Sequence, residues 1–140
     1  MSSGPESILS HVSLGTDDLE RASAFYDSVL ATLGCRRIME HDGAVCWGKA
    51  YPEFWIQRPF DEGEAQSANG VHVAFMAASK EEVRSFYEAG IAAGATDDGA
   101  PGPRPHYGEP YYGCFLYDPD GHKVEATYWD MDLARELGMG

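Results

Sequence analysis

The feature that most constrains the fold of this chain is an internal repeat. Residues 11–26 read HVSLGTDDLERASAFY, and residues 70–87 read GVHVAFMAASKEEVRSFY. In both segments a histidine precedes a valine and a Phe-Tyr pair follows, and the two histidines, His11 and His72, lie 61 positions apart, as do the two Phe-Tyr pairs. Such a repeat indicates two copies of one supersecondary unit, which bury their apolar faces together.

The first copy predicts the order β-α-β-β-β. Residues 8–14 alternate in polarity, as a half-buried strand does. Asp17 and Glu20 have capping-box spacing, and Gly34 follows the helical stripe that they begin. Asp42-Gly43 is a strong hairpin signal. The predicted elements are a strand over 8–14, a helix from Asp17 to about Thr32, strands over 35–40 and 44–48, and a strand over 53–58.

The second copy predicts the same order. Its predicted elements are a strand over 71–76, a helix capped by Ser79 and Glu82 that runs to about Ala93, a short strand at 96–97, strands over 111–117 and 122–129 joined by the turn 118–121, and a terminal helix over 131–137. Residues 100–110 carry four prolines and are predicted to form a shaped loop. We expect one domain, with module 1 at about 8–59, a polar linker at about 60–69, module 2 at about 70–129 and a tail at 130–140.

Composition excludes several classes of function. The net charge of −13 over 140 residues repels phosphate backbones and anionic lipid, so neither nucleic acid nor a membrane is an expected partner. Three cysteines without CxxC spacing predict reduced thiols and a cytoplasmic protein. The polar start does not resemble a signal peptide, and no apolar run approaches the roughly 20 residues of a membrane helix.

Two tandem βαβββ modules, each with a histidine on its first strand, resemble the vicinal oxygen chelate superfamily of glyoxalase I, extradiol dioxygenases, fosfomycin resistance enzymes and bleomycin resistance proteins. The matching pieces are HVSLGTDDLERASAFYDSVLATLG, GVHVAF and DPDGHKVEA, and the resemblance extends from about residue 8 to residue 129. It implies an α+β fold in which the two modules form a cup-shaped mixed sheet. We also expect a homodimer, because the modules can close on each other or on a second copy.

The resemblance implies a metal site inside the cup, with His11, His72 and Glu125 as ligands and Glu125 as the catalytic residue. Alternation agrees, because each of the three lies opposite the more continuous apolar face of its strand. Two imidazoles and one carboxylate suit one divalent ion, Fe, Mn, Ni, Co or Zn, acting as a Lewis acid on vicinal oxygens of a small-molecule substrate. The alternative is a hydrogen-bonded core histidine and a solvated glutamate.

The sequence departs from the glyoxalase I pattern at one position. Trp55 stands where those relatives supply a fourth ligand, a glutamate. Without that carboxylate a general base is missing, which counts against methylglyoxal-glutathione isomerisation and brings the site closer to the extradiol pattern. His41, His106 and His122 are candidates for an acid-base histidine by residue type only, and otherwise are exposed histidines of loops and turns.

Four residues are candidates for substrate binding: Trp55, Arg104, Tyr107 and Tyr112. With a four-residue turn over 118–121, Glu125 pairs near Cys114, which places Tyr112 and Trp55 on the cup wall. A slip of one residue would replace Tyr112 with Tyr111. Arg104 and Tyr107 lie in the proline-rich segment, which either covers the cup or is a surface loop.

The sequence therefore predicts a metal-dependent enzyme that acts on a small oxygen-rich molecule, of lyase, isomerase, dioxygenase or transferase type. The alternative from another class is a metal-free protein of the bleomycin-resistance kind that sequesters a drug, and the acidity of the chain would suit a cationic one. A third possibility is a member of the fold that keeps its ligands without activity.

Overall fold

The computed structural model describes residues 7–139, and the predicted βαβββ order occurs in it twice. The first module contains β1 (Val12–Gly15), α1 (Leu19–Ala31), β2 (Arg36–His41), β3 (Ala44–Gly48) and β4 (Phe54–Gln57). The second contains β5 (His72–Met76), α2 (Lys80–Ala92), β6 (Thr96–Pro103), a 3-10 turn (Pro105–Tyr107), β7 (Tyr111–Tyr117) and β8 (Lys123–Trp129). A last helix, α3 (Met131–Glu136), follows.

Each module forms its own four-stranded mixed sheet. The strand orders are β1-β4-β3-β2 and β5-β8-β7-β6. In each sheet the first strand runs parallel to the last, and the other pairs are antiparallel. The α+β class with two βαβββ modules is thus confirmed, and β1 and β5 each lie at a sheet edge.

One hydrophobic core spans both modules. Phe54 of β4 and Phe75 of β5 meet edge to face, with ring centroids 5.0 Å apart. The helices lie between the two sheets, because each helix contacts its own sheet and the other helix. The helices approach closely at Gly90 of α2, where a Cβ would lie 3.5 Å from a methyl carbon of Val29 on α1 and 2.4 Å from one of Leu116 on β7. Each copy of the repeat therefore buries its apolar face against the other.

A buried polar cluster also joins the modules, and we call Tyr26, Asp118 and His122 the latch. The Tyr26 hydroxyl of α1 donates to Asp118 Oδ2 over 2.6 Å, while Asp118 Oδ1 accepts the backbone N–H of His122. His122 Nε2 lies 2.7 Å from the carbonyl oxygen of Gly15 at the end of β1. Burial raises the pKa of the Asp118 carboxyl. The prediction of an exposed His122 was wrong, because this residue is drawn into the latch.

The helix caps follow the predictions in one module only. Ser79 caps α2 by accepting the N–H of Glu82 over 3.1 Å, as predicted. The cap of α1 is Asp18, which accepts the N–H of Arg21, and not Asp17. Asp17 instead accepts the N–H of Ala65 over 2.8 Å and so fixes the linker to module 1.

β6 extends into the proline-rich segment as far as Pro103, so the predicted loop over 100–110 was wrong in its first part. β6 pairs with β7 through register irregularities on both sides of Gly99. It is the outer strand of its sheet, where prolines do not interrupt the ladder on a second side. In the part of the chain that the structure describes, no helix is long and apolar enough to cross a membrane.

Candidate functional site

The pairing of β7 with β8 decides which side chains surround Glu125. Phe115 is its cross-strand partner, and Cys114 pairs with Ala126, so the predicted register was wrong by one residue. The connection spans residues 118–122, and it is closed by the N–H of Asp118 donating to the carbonyl oxygen of His122 over 2.8 Å. Tyr111 and Phe115 consequently share the face of Glu125, as they would after the one-residue slip considered above.

The structure brings together two of the three predicted metal ligands. His72 Nε2 on β5 lies 2.7 Å from Oε1 of Glu125 on β8. The His72 side chain is 41% exposed and that of Glu125 only 7%. Ala74, the neighbour of Glu125 across the parallel pair, is small and leaves room beside the carboxylate. An imidazole and a carboxylate therefore meet on the sheet face that the helices do not cover.

Tyr111 completes the surroundings of the carboxylate. Its hydroxyl donates to Oε2 of Glu125, so both carboxylate oxygens are engaged. Burial, followed by the bond to Glu125, raises the Tyr111 pKa, which keeps the phenol protonated as a donor. The ring crosses Gly113, where a Cβ would lie 2.2 Å from the Tyr111 oxygen. A glycine two residues after a tyrosine on the same strand face was the sequence signal for this contact.

Phe115 lies at the centre of three nitrogen-bearing side chains. The His72 ring is 6.0 Å from its ring centroid, the Arg104 guanidinium carbon 5.6 Å and Lys123 Nζ 5.3 Å. Lys123 also lies 3.2 Å from Asp98. Arg104 was a predicted substrate contact, and sequence reasoning did not single out Phe115 or Lys123.

Two other predicted substrate residues take different positions in this module. Tyr107 meets Tyr111 edge to face at 5.0 Å, so the proline-rich segment borders the site. Tyr112 lies on the opposite face of the sheet, where its hydroxyl accepts from Arg84 of α2 over 2.9 Å. Placing Tyr112 on the cup wall was therefore wrong, as a consequence of the register.

His11 and Trp55 belong to the other sheet. His11 is exposed just before β1 and lines a mostly apolar cavity of about 450 Å³ between the modules. Trp55 pairs with Ser13 and stacks on His41, with ring planes 13° apart. Within residues 7–139 no group of three or more His, Cys, Asp or Glu side chains lies close enough to hold a metal ion, so one chain does not bring His11 to the pair.

Comparison with known proteins agrees with this architecture. The model of the Glyoxalase/Bleomycin resistance protein/Dioxygenase superfamily matches residues 8–126. A glyoxalase/bleomycin resistance protein from Albidiferax ferrireducens T118 is 35% identical, with a TM-score of 0.82, over 87% of this chain and 99% of that chain. A search of curated protein sequences found no significant match.

Two more distant solved structures show the same fold. A lactoylglutathione lyase from Agrobacterium tumefaciens is 21% identical, with a TM-score of 0.63, over 89% of this chain and 94% of that one. The fosfomycin resistance protein FosX from Listeria monocytogenes is 24% identical, with a TM-score of 0.64, over 94% of this chain and 98% of that one. At these identities the likeness concerns the fold alone.

Proposed function

The chain belongs to the glyoxalase/bleomycin resistance protein/dioxygenase superfamily, and from this premise we propose that it is a metal-dependent enzyme acting on a small, oxygen-rich molecule. The observation that carries the proposal is the contact of His72 with Glu125 at 2.7 Å. A neutral imidazole nitrogen and a carboxylate oxygen are both common ligands of divalent transition metals. They meet where His72 opens to solvent, so a substrate can reach them.

The surroundings of Glu125 suit a metal ligand. Ligating carboxylates are usually held by a second hydrogen bond, and Tyr111 provides one to the oxygen that does not face His72. In this proposal His72 and Glu125 hold one ion of Fe, Mn, Ni, Co or Zn, and Glu125 is the catalytic residue. When bound, the ion supplies a Lewis acid for vicinal oxygens of the substrate.

We propose that His11 of a second copy completes the ligand set in a homodimer. The helices lie between the two sheets, so the uncovered sheet faces that carry Trp55 and Glu125 belong to different sides of one chain. β1 and β5 have no strand partner on their outer sides among the described residues. Leu9 before β1 is 67% exposed and Met76 at the end of β5 is 86% exposed, as expected of a surface that a partner covers.

In the same proposed homodimer, three of the predicted substrate-binding residues would surround the metal site. Trp55 of one copy would face His72 and Glu125 of the other, and Arg104 and Tyr107 would border the site from the second module. Tyr111 takes the position that was predicted for Tyr112. We propose that the chain acts as one domain in the cytoplasm, where its three cysteines, all free, stay reduced.

The alternative is a metal-free binding protein that sequesters a small molecule. It is favoured by the observation that a single chain, over residues 7–139, assembles two ligands and not three. The acidic balance of the chain would suit a cationic ligand of such a protein.

Elemental analysis of the untagged protein, purified without added metal, separates these functions. We expect near-stoichiometric Fe, Mn, Ni, Co or Zn, lost in His72→Ala because the imidazole ligand is gone. His106→Ala is the matched control, since His106 is an exposed histidine that contacts Tyr107 instead. An absence of metal after reconstitution with each ion would refute the enzyme and leave the binding protein. Loss of metal in His11→Ala as well would support the shared site.

A further inference from the structure

A polar cavity of about 440 Å³ opens beside the His72–Glu125 pair. Its wall consists of residues 67–71, where the linker meets module 2, together with His72, Tyr117, Gly121 and Lys123. His72 and Lys123 are direct neighbours across β5 and β8, so their side chains adjoin at the cavity. The linker lies against the turn between β7 and β8 here, since a Cβ on Gly121 would be 3.4 Å from the Ser67 hydroxyl. The linker therefore forms one wall of this cavity.

The cavity differs in charge from the rest of the chain. Among the described residues that line it none is acidic, although the chain has 23 Asp and Glu residues. Its lining offers hydrogen-bond donors: the ammonium group of Lys123, the hydroxyl of Ser67 and the amide of Asn69. A lining that offers donors and no carboxylate favours an anion.

The neighbouring cations strengthen this preference. Arg104 lies over the same Phe115 ring as Lys123, and it donates to the carbonyl oxygens of Ala100 and Pro103. Within residues 7–139 Arg104 forms no salt bridge, so its charge is not neutralised by a contact. The ion pair of Lys123 with Asp98 is about one-third exposed on both sides, and such pairs are weak enough to yield to a ligand.

We propose that this cavity binds an anionic group of the substrate, either a carboxylate or a phosphate-type oxyanion. Lys123 and the donors of the linker hold the anion, and His72 stands between it and Glu125. Its use as a substrate subsite rests on the proposed function, whereas anion binding by the cavity does not. The substrate class that follows is a small oxygen-rich molecule with at least one negative charge.

Anion binding can be tested on the full chain after metal has been removed with a chelator. The probes are inorganic phosphate and sodium acetate, titrated at constant ionic strength against sodium chloride while backbone amide NMR signals are recorded. We expect saturable shifts that begin in residues 67–72 and 121–123. Tighter binding of acetate or of phosphate identifies the group that the substrate carries.

Three variants make the test specific. Lys123→Gln removes the ammonium group, and we expect about a tenfold loss of affinity, the effect of one charge-assisted hydrogen bond. Asn69→Asp places a negative charge on an exposed linker position and should abolish binding without disturbing the core. Lys80→Gln is the matched control, because its ammonium group lies over the Tyr112 ring at 5.4 Å on the opposite sheet face. Its affinity should stay unchanged.

The proposal is overturned if the shifts do not saturate, or if Lys80→Gln weakens binding as much as Lys123→Gln. The result is independent of the metal analysis. Phosphate or acetate binding in a protein that never takes up metal would support the anion site and refute the enzyme. Stoichiometric metal without anion binding would do the reverse.

Discussion

Replacing Tyr26 with phenylalanine removes one oxygen atom from the latch between the modules. Tyr26 is fully buried and Asp118 is 4% exposed, so water cannot replace the lost hydroxyl. The ring itself keeps its contacts, with Phe54 at 4.7 Å and Phe25 at 5.0 Å between centroids. The substitution therefore isolates one hydrogen bond of 2.6 Å to a buried carboxylate.

The size of the effect follows from that geometry. A hydrogen bond to a charged group contributes about 1.5–3 kcal/mol to stability. Because Asp118 stays buried without its donor in the variant, the expected loss of stability lies in the upper part of that range. We expect the free energy of unfolding to fall by about 2–3 kcal/mol at pH 7. At roughly 4 °C per kcal/mol for a chain of this size, the Tm falls by about 10 °C.

The loss also depends on pH, with a definite sign. Burial raises the Asp118 pKa, and the bond from Tyr26 opposes that rise because it favours the carboxylate. Without the bond the folded-state pKa rises further, so the variant binds the proton more readily than the parent protein. The stability difference is then largest where Asp118 is ionised in both proteins, and it shrinks as the pH falls through the Asp118 pKa.

Urea unfolding of both proteins at pH 7 and pH 4 measures these quantities. The control is Tyr87→Phe, at the equivalent position of the second copy, because the Tyr87 hydroxyl donates to an exposed Asp97 over 3.0 Å. Water replaces that bond, so we expect a much smaller loss than in Tyr26→Phe. Equal losses in the two variants, or a Tyr26→Phe deficit that grows towards pH 4, would refute the role assigned to the latch.

Two further predictions concern packing and thiol reactivity. Gly113→Ala should lower the free energy of unfolding by about 1–3 kcal/mol in urea titrations, because the new methyl group displaces Tyr111. An unchanged urea midpoint would contradict the close approach of Tyr111 to Gly113. Burial raises the pKa of the Cys114 thiol to about 11, and Cys46 is completely buried. Iodoacetamide at pH 8 should therefore modify the half-buried Cys35 first, as peptide mass spectrometry would report. Early labelling of Cys114 would contradict this order.

Local sequence signals predicted most of the fold. Alternation, helical stripes and caps gave the βαβββ order, and the Asp42-Gly43 turn is confirmed by the pairing of His41 with Ala44. These local signals failed where a residue distant in the sequence determines the position of a side chain. His122 is buried because its ring bonds to the carbonyl oxygen of Gly15, more than 100 residues away in the chain. A long-range hydrogen bond of this kind leaves no periodic trace in the sequence.

Part of the candidate site could likewise be predicted from the sequence, and part of it could not. The meeting of His72 with Glu125 follows from strand faces and from the parallel pairing of β5 with β8. The contact of Tyr111 with Glu125 depends on the register, which the sequence left open by one residue. Whether His11 joins the pair depends on how modules associate, and strand patterns carry no information about that step.

The edges of the two sheets limit how far copies of this chain can associate. Over the described residues the outer strand β6 carries Pro101 and Pro103 and an irregular register, and the outer strand β2 carries charged residues and an irregularity after Arg37. Such edges resist the addition of another strand. In a pair joined through β1 and β5, these two edge strands are covered, and only the irregular edge strands β2 and β6 stay exposed. An assembly joined in this way would stop at two copies, because the remaining edges would oppose filament growth.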